Sequence, residues 1–370
     1  MRYRRLPIEI ESPEERGYGS IRCNLTESSV SDATLEQYGV DLSGQVLAYG
    51  DHRGLPELRE LIVEGADGLD ADDVLCTPGA AAALFFVATS VLSAGDHALV
   101  QHTNYATNLE TPRLLGADVQ RIELRLEDGF ALDVERLAAE VRPSTALISV
   151  TTPHNPTGTS LDRSQLEALV ELAERHSCWL LVDETYREMD RPEPLPMAAS
   201  LSDRAISVGS VSKTYGLPGL RLGWVVARQP ELAEMLLAAK EQIVICGSTL
   251  DEEAARQVLA RRGEHLAVIR ADIATRAEIV RSWMSAQHGW LDWVEPSGGV
   301  VCFPRVRSEV IGDMDRFYAT LRDDHGTFVG EGHWFDADRH HFRLGFGWPT
   351  VEELGDGLEA LAATAAAYRE

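Results

Sequence analysis

Residues 146–183 read ALISVTTPHNPTGTSLDRSQLEALVELAERHSCWLLVD. The apolar runs ALISV and CWLLV near its two ends are typical of strands that are covered on both faces. Between them, residues 163–176 have a helix-like pattern. A strand, a helix and a second strand in this order predict two parallel strands joined by a crossover helix.

The same alternation continues on both sides of this stretch. Further strands are predicted at residues 74–76, 97–101, 119–123, 205–209 and 223–227, and further helices at residues 80–92 and 132–141. The sequence therefore predicts the α/β class. We expect a large domain at residues 45–262, with a mainly parallel seven-stranded sheet flanked by helices.

The two ends of the chain have a different pattern. Residues 1–44 are predicted to be loop-rich, with an irregular stretch, SPEERGYGS, at residues 12–20. The elements expected after the sheet are a long helix at 264–287, a β-like segment at 298–306, a helix at 314–322, a strand at 341–346 and a helix from residue 351. We expect residues 1–44 and 263–370 to join in one smaller α+β domain.

Charge and cysteine content limit the partners. The chain has 370 residues, with 34 Lys plus Arg against 59 Asp plus Glu, and a net charge of −25 argues against nucleic acid or an anionic membrane surface as a partner. Its five cysteines are widely spread, which is typical of free thiols in a reducing compartment. No signal-like leader or apolar run of about 20 residues is present, so a cytoplasmic protein is expected.

A lysine follows one of the predicted strands in the segment SVGSVSKTYGLPGLRLGW, residues 207–224. A surface ammonium is the ordinary interpretation of a lysine. Lys213, however, lies where a parallel strand ends, which is the edge at which α/β sheets bind ligands. Ser210, Ser212 and Arg221 are close in sequence and are suited to bind a phosphate. A partly desolvated lysine beside a phosphate is a candidate nucleophile.

Two other predicted strands end in polar residues. Asp183 closes the strand in WLLVDETYREM, and Asn155 follows the strand in SVTTPHNPTG. Helix capping and a turn are the ordinary interpretations of these residues. Beside a pyridine aldehyde bound to a lysine, Asp183 would keep the ring nitrogen protonated and Asn155 would donate a hydrogen bond to the phenolic oxygen.

Four segments in this order, YGDHRGLPELRE, PHNPTG, VDETY and SVSKTYGLPGLRLGW, resemble the signature of the fold-type I, class I/II aminotransferases. The resemblance covers residues 45–350 and implies a transferase fold that binds pyridoxal 5'-phosphate, an amino-acid substrate and a homodimer with shared active sites. Lys213 matches the lysine that bonds to the cofactor and moves the proton. Asp183 matches the acid on the ring nitrogen, and Asn155 and Tyr186 match the pair on the phenolic oxygen.

The remaining family positions are carried over in the same way. Tyr105 matches the aromatic ring that stacks on the cofactor, and Tyr49 a tyrosine that reaches the neighbouring subunit's phosphate. Arg343 matches the arginine that holds the substrate carboxylate, for which Asn155 is a second substrate-binding candidate. The phosphate site implied by the resemblance consists of Gly79, Ala80, Ala81, Ser210, Ser212 and Arg221.

The entry loop departs from the family pattern. Where the family has a glycine-containing loop, this chain has NLTESSVSD, whose Glu27 is either a capping or surface residue or an anionic partner for a guanidinium. His52, His154 and His333 lie in or beside motif loops, and ordinary hydrogen bonding is favoured over a second acid/base role. No metal-ligand spacing is present in the sequence, so no metal is expected.

Three functions follow as hypotheses. The entry loop is similar to that of the pyridoxal-phosphate cyclases of arginine-derived antibiotic pathways, the capreomycidine synthase and streptolidine-forming types. This similarity favours elimination and ring closure on a hydroxylated arginine. A plain aminotransferase uses the same residues and is the alternative. A regulatory domain that has only kept the fold is the third and weakest hypothesis, because every residue that the chemistry needs is present.

Overall fold

The computed structural model describes residues 4–189 and 194–368. Its strands are β1 (Cys23–Leu25), β2 (Val74–Thr77), β3 (His97–His102), β4 (Asp118–Glu123), β5 (Thr145–Thr151), β6 (Trp179–Asp183), β7 (Ala205–Ser210), β8 (Gly223–Val226), β9 (Leu291–Asp292), β10 (Val301–Cys302), β11 (Arg305–Val306), β12 (Thr327–Glu331) and β13 (Phe342–Gly345). Its helices are α1 (Pro7–Glu11), α2 (Pro13–Arg16), α3 (Pro56–Val63), α4 (Ala80–Val91), α5 (Ala106–Leu115), α6 (Val134–Ala139), α7 (Arg163–His176), α8 (Ala198–Leu201), α9 (Pro230–Glu241), α10 (Thr249–Leu259), α11 (Arg262–Ser285), α12 (Met314–Asp323) and α13 (Val351–Ala366).

The seven predicted strands of the middle of the chain form one sheet in the order β2-β8-β7-β6-β5-β3-β4. Strand β8 is antiparallel to both of its neighbours, and the pairs from β7 to β4 are parallel. Each strand lies within one residue of its predicted bounds, and α7 has the predicted bounds. The predicted α/β fold with a mainly parallel sheet is confirmed.

Burial on both faces explains the apolar runs of the central strands. Ile148 of β5 and Leu180 of β6 have no exposed surface on one face of the sheet, and Leu147 and Leu181, which point to the other face, are only 1% and 2% exposed. Helix α4 packs against strands of the sheet and against α5 and α9, and its Val87 is fully buried. The sheet is therefore a rigid base for the residues that follow its strands.

A second sheet takes strands from both ends of the chain, in the order β1-β12-β13-β10. Strand β1 pairs with β12 in parallel, and β13 is antiparallel to β12 and β10. Leu25, Phe342 and Leu354 join in one buried cluster on this sheet. The predicted α+β unit from both chain ends is present, whereas the boundaries at residues 45 and 263 remain a prediction.

The prediction of an irregular stretch at residues 12–20 is wrong. Helix α2 and a 3-10 turn at Tyr18–Ser20 occupy it. Pro13 stands at the first helical position, where its fixed φ favours the helix and its missing N–H costs nothing. The start signal, a serine followed three residues later by a glutamate, is present as Ser12 and Glu15.

Two further sequence expectations concern cysteines and membranes. The five cysteines are free, and four of them are buried. Among the described helices, none is both long enough and apolar enough to cross a membrane.

Candidate active site

A cavity of about 380 Å³ opens at the carboxyl ends of β5, β6 and β7. Thr151, Asp183 and Ser210, the last residues of these three strands, line it. Parallel strands present their carboxyl ends at one edge of a sheet, so residues distant in sequence meet there. This is the edge at which the sequence predicted a ligand site.

Lys213 lies in the turn after β7 and lines the cavity. It is half-buried, and within the described ranges its ammonium group forms no hydrogen bond or ion pair. Burial lowers the pKa of Lys213, because the charged form loses water. An amine with a lowered pKa and no competing partner is suited to act as a nucleophile or base.

Among the described residues, Thr185 alone donates hydrogen bonds to the Asp183 side chain. Its Oδ1 accepts hydrogen bonds from the backbone N–H of Thr185 at 3.1 Å and from the Thr185 hydroxyl at 2.6 Å. Burial raises the pKa of Asp183, an effect that these two bonds oppose. A buried carboxylate on the cavity wall is suited to face a cation there, such as a protonated ring nitrogen.

Asn155, Tyr186 and Arg343 form one hydrogen-bond network. Asn155 Nδ2 donates to the Tyr186 hydroxyl at 3.2 Å, which in turn donates to Ser28 Oγ at 3.0 Å. Arg343 donates from Nη1 to Asn155 Oδ1 at 2.9 Å and from Nη2 to the Thr26 carbonyl. Burial raises the pKa of Tyr186 to about 12, so its hydroxyl remains a neutral donor.

Arg343 keeps one donor unused. Its side chain lies over the Phe335 ring, 4.9 Å from the centroid, and only 6% of the residue is exposed. The buried Nε atom has no hydrogen-bond partner in the described part of the chain. An orphaned N–H on a guanidinium that lines the cavity fits an acidic group of a ligand.

The end of the cavity beside α4 fits a phosphate. Gly79 precedes the helix with φ +81°, and a Cβ there would lie 2.6 Å from Nη2 of Arg221. Arg221 forms no ion pair with a described residue, and the N-terminal amides of the 12-residue helix are oriented for an anion. The predicted phosphate-site residues that line the cavity are Ala80, Ala81, Ser210, Ser212 and Arg221.

Two of the three predicted site tyrosines, Tyr105 and Tyr49, differ in their position relative to the cavity. Tyr105 lines the cavity at the N-cap of α5. Tyr49 is 84% exposed and does not line the cavity of its own chain. Neighbouring Val46 and Leu47 are 74% and 72% exposed, so an apolar stretch surrounds Tyr49.

Glu27 also lines the cavity. Its Oε1 accepts hydrogen bonds from the Tyr18 hydroxyl at 3.3 Å and from Asn24 Nδ2 at 3.4 Å. Sequence reasoning missed Glu14 of α2 and Trp334, which line the same cavity. The start signal at Ser12 would have revealed the helix that carries Glu14, whereas no local signal indicates Trp334.

The three histidines do not line the cavity. His154 donates from Nε2 to the Thr103 carbonyl at 2.7 Å, and burial lowers its pKa to about 4. His52 is bonded to Glu241 at 2.6 Å, and His333 to Glu11 at 2.9 Å. These contacts favour ordinary hydrogen-bonding roles.

Among the described residues, Glu11, Glu331 and His333 form a group of possible metal ligands, and none of the three lines the cavity. Arg322 and Arg339 form ion pairs with Glu331 at 2.6 and 2.7 Å. The Trp334 indole N–H donates to Glu11 at 2.8 Å. These partners already satisfy the carboxylates, so the group is explained without a metal.

Comparisons with known proteins agree with this site. The family model for aminotransferase class I and II matches residues 24–361. The chain is 31% identical to the arginine–pyruvate transaminase of Pseudomonas aeruginosa over 313 residues, which are 80% of this chain and 77% of that protein. It is 32% identical to the capreomycidine synthase of Streptomyces vinaceus over 292 residues, 78% of this chain and 73% of that one.

Solved structures are similar over the whole chain. A PLP-dependent aminotransferase from Streptococcus suis has a TM-score of 0.92 and 29% identity, with all of both chains covered. The PLP-dependent cyclase OrfR has a TM-score of 0.90 and 29% identity, over 99% of this chain and 98% of that one. The chain is therefore a pyridoxal-phosphate enzyme, and it belongs to the aminotransferase class I and II family.

Proposed function

We propose that this enzyme acts on a basic α-amino acid, a hydroxylated arginine, by eliminating the hydroxyl group and closing a ring. The observation that carries the proposal is the charge distribution in the cavity. Arg343, with its free Nε, and Lys213 lie on its wall together with the carboxylate of Glu27. An amino acid with a carboxylate at one end and a guanidinium at the other matches this arrangement.

Two relatives support a substrate of this class. One is named for transamination of arginine and the other for the synthesis of capreomycidine. The sequence identities to the capreomycidine synthase and to the arginine–pyruvate transaminase are 32% and 31%. Identity alone therefore does not favour specialised, antibiotic-type metabolism over simple transamination. The NLTESSVSD entry loop, which is similar to that of the cyclases, inclines the proposal toward ring closure.

Residues of this chain would hold the cofactor at three points. Ser210, Ser212, Arg221 and the first amides of α4 would bind its phosphate. Asp183 would keep the proton on its ring nitrogen, and Asn155 and Tyr186 would donate to its phenolic oxygen. When bound, pyridoxal phosphate withdraws electrons from the α-carbon of the amino acid.

Lys213 would remove the α-proton, and its lowered pKa makes the neutral amine available for this step. Arg343 would fix the α-carboxylate in place. In the proposed reaction the bond from the side-chain carbon to the hydroxyl breaks, and a guanidine nitrogen forms a bond to the vacated position. One water leaves in total, so no oxidant and no keto acid is consumed.

Transamination to a keto acid is the second candidate, because the arginine–pyruvate transaminase is similar over 80% of this chain. It would use Lys213, Asp183 and Arg343 in the same positions. The two reactions differ in stoichiometry, since transamination requires an acceptor and elimination with cyclisation does not.

The experiment that tests the proposal uses this difference. The cofactor-loaded enzyme is incubated separately with arginine, hydroxyarginine, aspartate and glutamate, with and without pyruvate, and products are followed by mass spectrometry. Loss of one water without pyruvate supports the cyclase. A keto acid formed only with pyruvate supports the aminotransferase, and activity on aspartate or glutamate alone overturns the basic substrate.

We also propose that the enzyme is a cytoplasmic homodimer with shared active sites. The exposed apolar stretch at Val46, Leu47 and Tyr49 supports an interface between two copies. The free cysteines support a reducing compartment.

A further inference from the structure

Three carboxylates from the N-terminal part of the chain, Glu9, Glu14 and Glu27, line the active-site cavity. Glu9 is engaged at the start of its own helix, where its Oε2 accepts a hydrogen bond from the Leu6 N–H at 2.7 Å. Neither Glu14 nor Glu27 forms an ion pair with a residue in the described ranges. Glu14 belongs to α2, and Glu27 follows β1. Glu14 is exposed and Glu27 is half-buried, and carboxylates on the wall of one cavity are suited to bind a cationic group there.

Helix α1, which directly precedes and contacts the helix that carries Glu14, packs on the 3-10 turn Gly332–Phe335 that follows β12. Glu11, at the end of α1, accepts hydrogen bonds from Trp334 Nε1 at 2.8 Å and from His333 Nε2 at 2.9 Å. Trp334, Ser12 and Pro13 also line the cavity. These contacts place α2 beside the cavity, so the position of Glu14 is set by packing.

The charges of Glu14 and Glu27 act on two cationic residues of the cavity, Lys213 and Arg343. Burial lowers the pKa of Lys213 and of Arg343, and in both cases the charges of Glu27 and Glu14 oppose the lowering. Arg343 is 6% exposed, lines the same cavity and has an Nε–H without a partner. The cavity therefore presents an N–H donor of Arg343 to an anionic group and the carboxylates of Glu14 and Glu27 to a cationic group.

We propose that Glu14 is a specificity-determining residue that binds the distal cationic group of the substrate together with Glu27. This inference rests on the proposed function and adds a second carboxylate, contributed by helix α2. A guanidinium has five N–H donors in a planar fork, and two carboxylates satisfy more of them than one does. A neutral ureido group of the same length would gain little from Glu14.

Binding measurements with a matched pair of ligands test this role. L-arginine and L-citrulline have the same length and differ in the charge of the distal group. Isothermal titration calorimetry is done on cofactor-loaded Lys213→Ala protein, in which the ligand is not turned over. In this background we expect Glu14→Gln to raise the Kd of arginine about five-fold and that of citrulline less than two-fold, as for a half-solvated ion pair.

Glu15→Gln is the control. Glu15 lies on the same helix, pairs with Arg5 at 2.9 Å and does not line the cavity, so both Kd values should stay unchanged. Equal effects of Glu14→Gln and Glu15→Gln, or an equal effect of Glu14→Gln on both ligands, would overturn the role of Glu14. If the parent protein binds arginine no more tightly than citrulline, the proposed basic substrate is itself wrong. A parent preference that Glu14→Gln leaves intact contradicts only the inference about Glu14.

Discussion

The guanidinium of Arg343 donates a hydrogen bond of 2.9 Å from Nη1 to Oδ1 of Asn155, 188 positions earlier in the chain. The amide of Asn155 in turn donates to the Tyr186 hydroxyl at 3.2 Å. Asn155 thus joins the residue proposed to hold the substrate carboxylate to the pair proposed to hold the cofactor. A substitution of Asn155 should therefore weaken both substrate binding and cofactor binding.

Asn155→Ala removes both hydrogen bonds and leaves the buried guanidinium with one fewer acceptor. Because a lost bond to a charged group costs about 1.5–3 kcal/mol, we expect kcat/KM to fall roughly 10- to 100-fold. Cofactor affinity, measured by fluorescence quenching during reconstitution, should weaken as well. Unchanged cofactor affinity would show that Asn155 acts on the substrate alone.

Lys213 should carry the cofactor covalently. Borohydride reduction of the loaded enzyme followed by peptide mass spectrometry should find the pyridoxyl group on the peptide that contains Lys213. Lys213→Ala should still bind the cofactor without the covalent bond and should lose turnover. A pyridoxyl group on another lysine, for instance the buried Lys240, would contradict the assignment.

Asp183→Asn keeps the shape of the side chain and its two bonds to Thr185 but removes the negative charge. The proton on the cofactor ring nitrogen then loses its counter-charge in a buried site. We expect exchange of the substrate α-proton with deuterated solvent, followed by NMR, to slow by about 100-fold or more. Near-normal exchange would refute the proposed role of Asp183.

Tyr49 should act across a dimer interface, since it is 84% exposed and absent from the cavity of its own chain. Mixing inactive Lys213→Ala subunits with impaired Tyr49→Phe subunits should then create one intact site in each heterodimer. With random exchange, about a quarter of the wild-type activity should return. A monomer with full activity in sedimentation analysis would rule out shared sites.

Glu184 should make stability depend on pH. Burial raises its pKa to about 7 from an ordinary 4.5, and it accepts hydrogen bonds from Ala198 N–H at 2.7 Å and Ser207 Oγ at 2.9 Å. Because the folded-state pKa of Glu184 is raised, folding favours the protonated carboxyl group. Its contribution to the free energy of unfolding is therefore fully present below pH 4.5 and is lost as pH rises through 7. Glu184→Gln, which resembles the protonated form, should therefore stabilise the protein by roughly 2–3 kcal/mol at pH 8.5 and have little effect at pH 4.5. Thermal unfolding at both pH values measures this difference, and a variant less stable at pH 8.5 would contradict it.

The placement of the central site residues was predictable from sequence because its causes are local. Runs such as CWLLV are apolar at consecutive positions, so they identify strands that are buried on both faces. Once the strands are parallel, their carboxyl ends lie at one edge, and Asp183, Asn155 and Lys213 must meet there. The sequence by itself therefore determined the main sheet and one wall of the cavity.

The opposite wall was decided only by tertiary structure. Glu14 and Trp334 lie at the cavity because Glu11 forms hydrogen bonds to the turn that contains Trp334. These bonds go to His333 and Trp334, which follow Glu11 by 322 and 323 positions in the chain. Glu27 reaches the cavity because its backbone crosses Gly345, where a methyl group would overlap the Glu27 carbonyl oxygen. No periodicity or motif encodes such contacts, because they depend on how separate elements pack. The sequence thus determined where the cofactor-facing residues lie, and the packing of the chain ends decided which charges the substrate side chain meets.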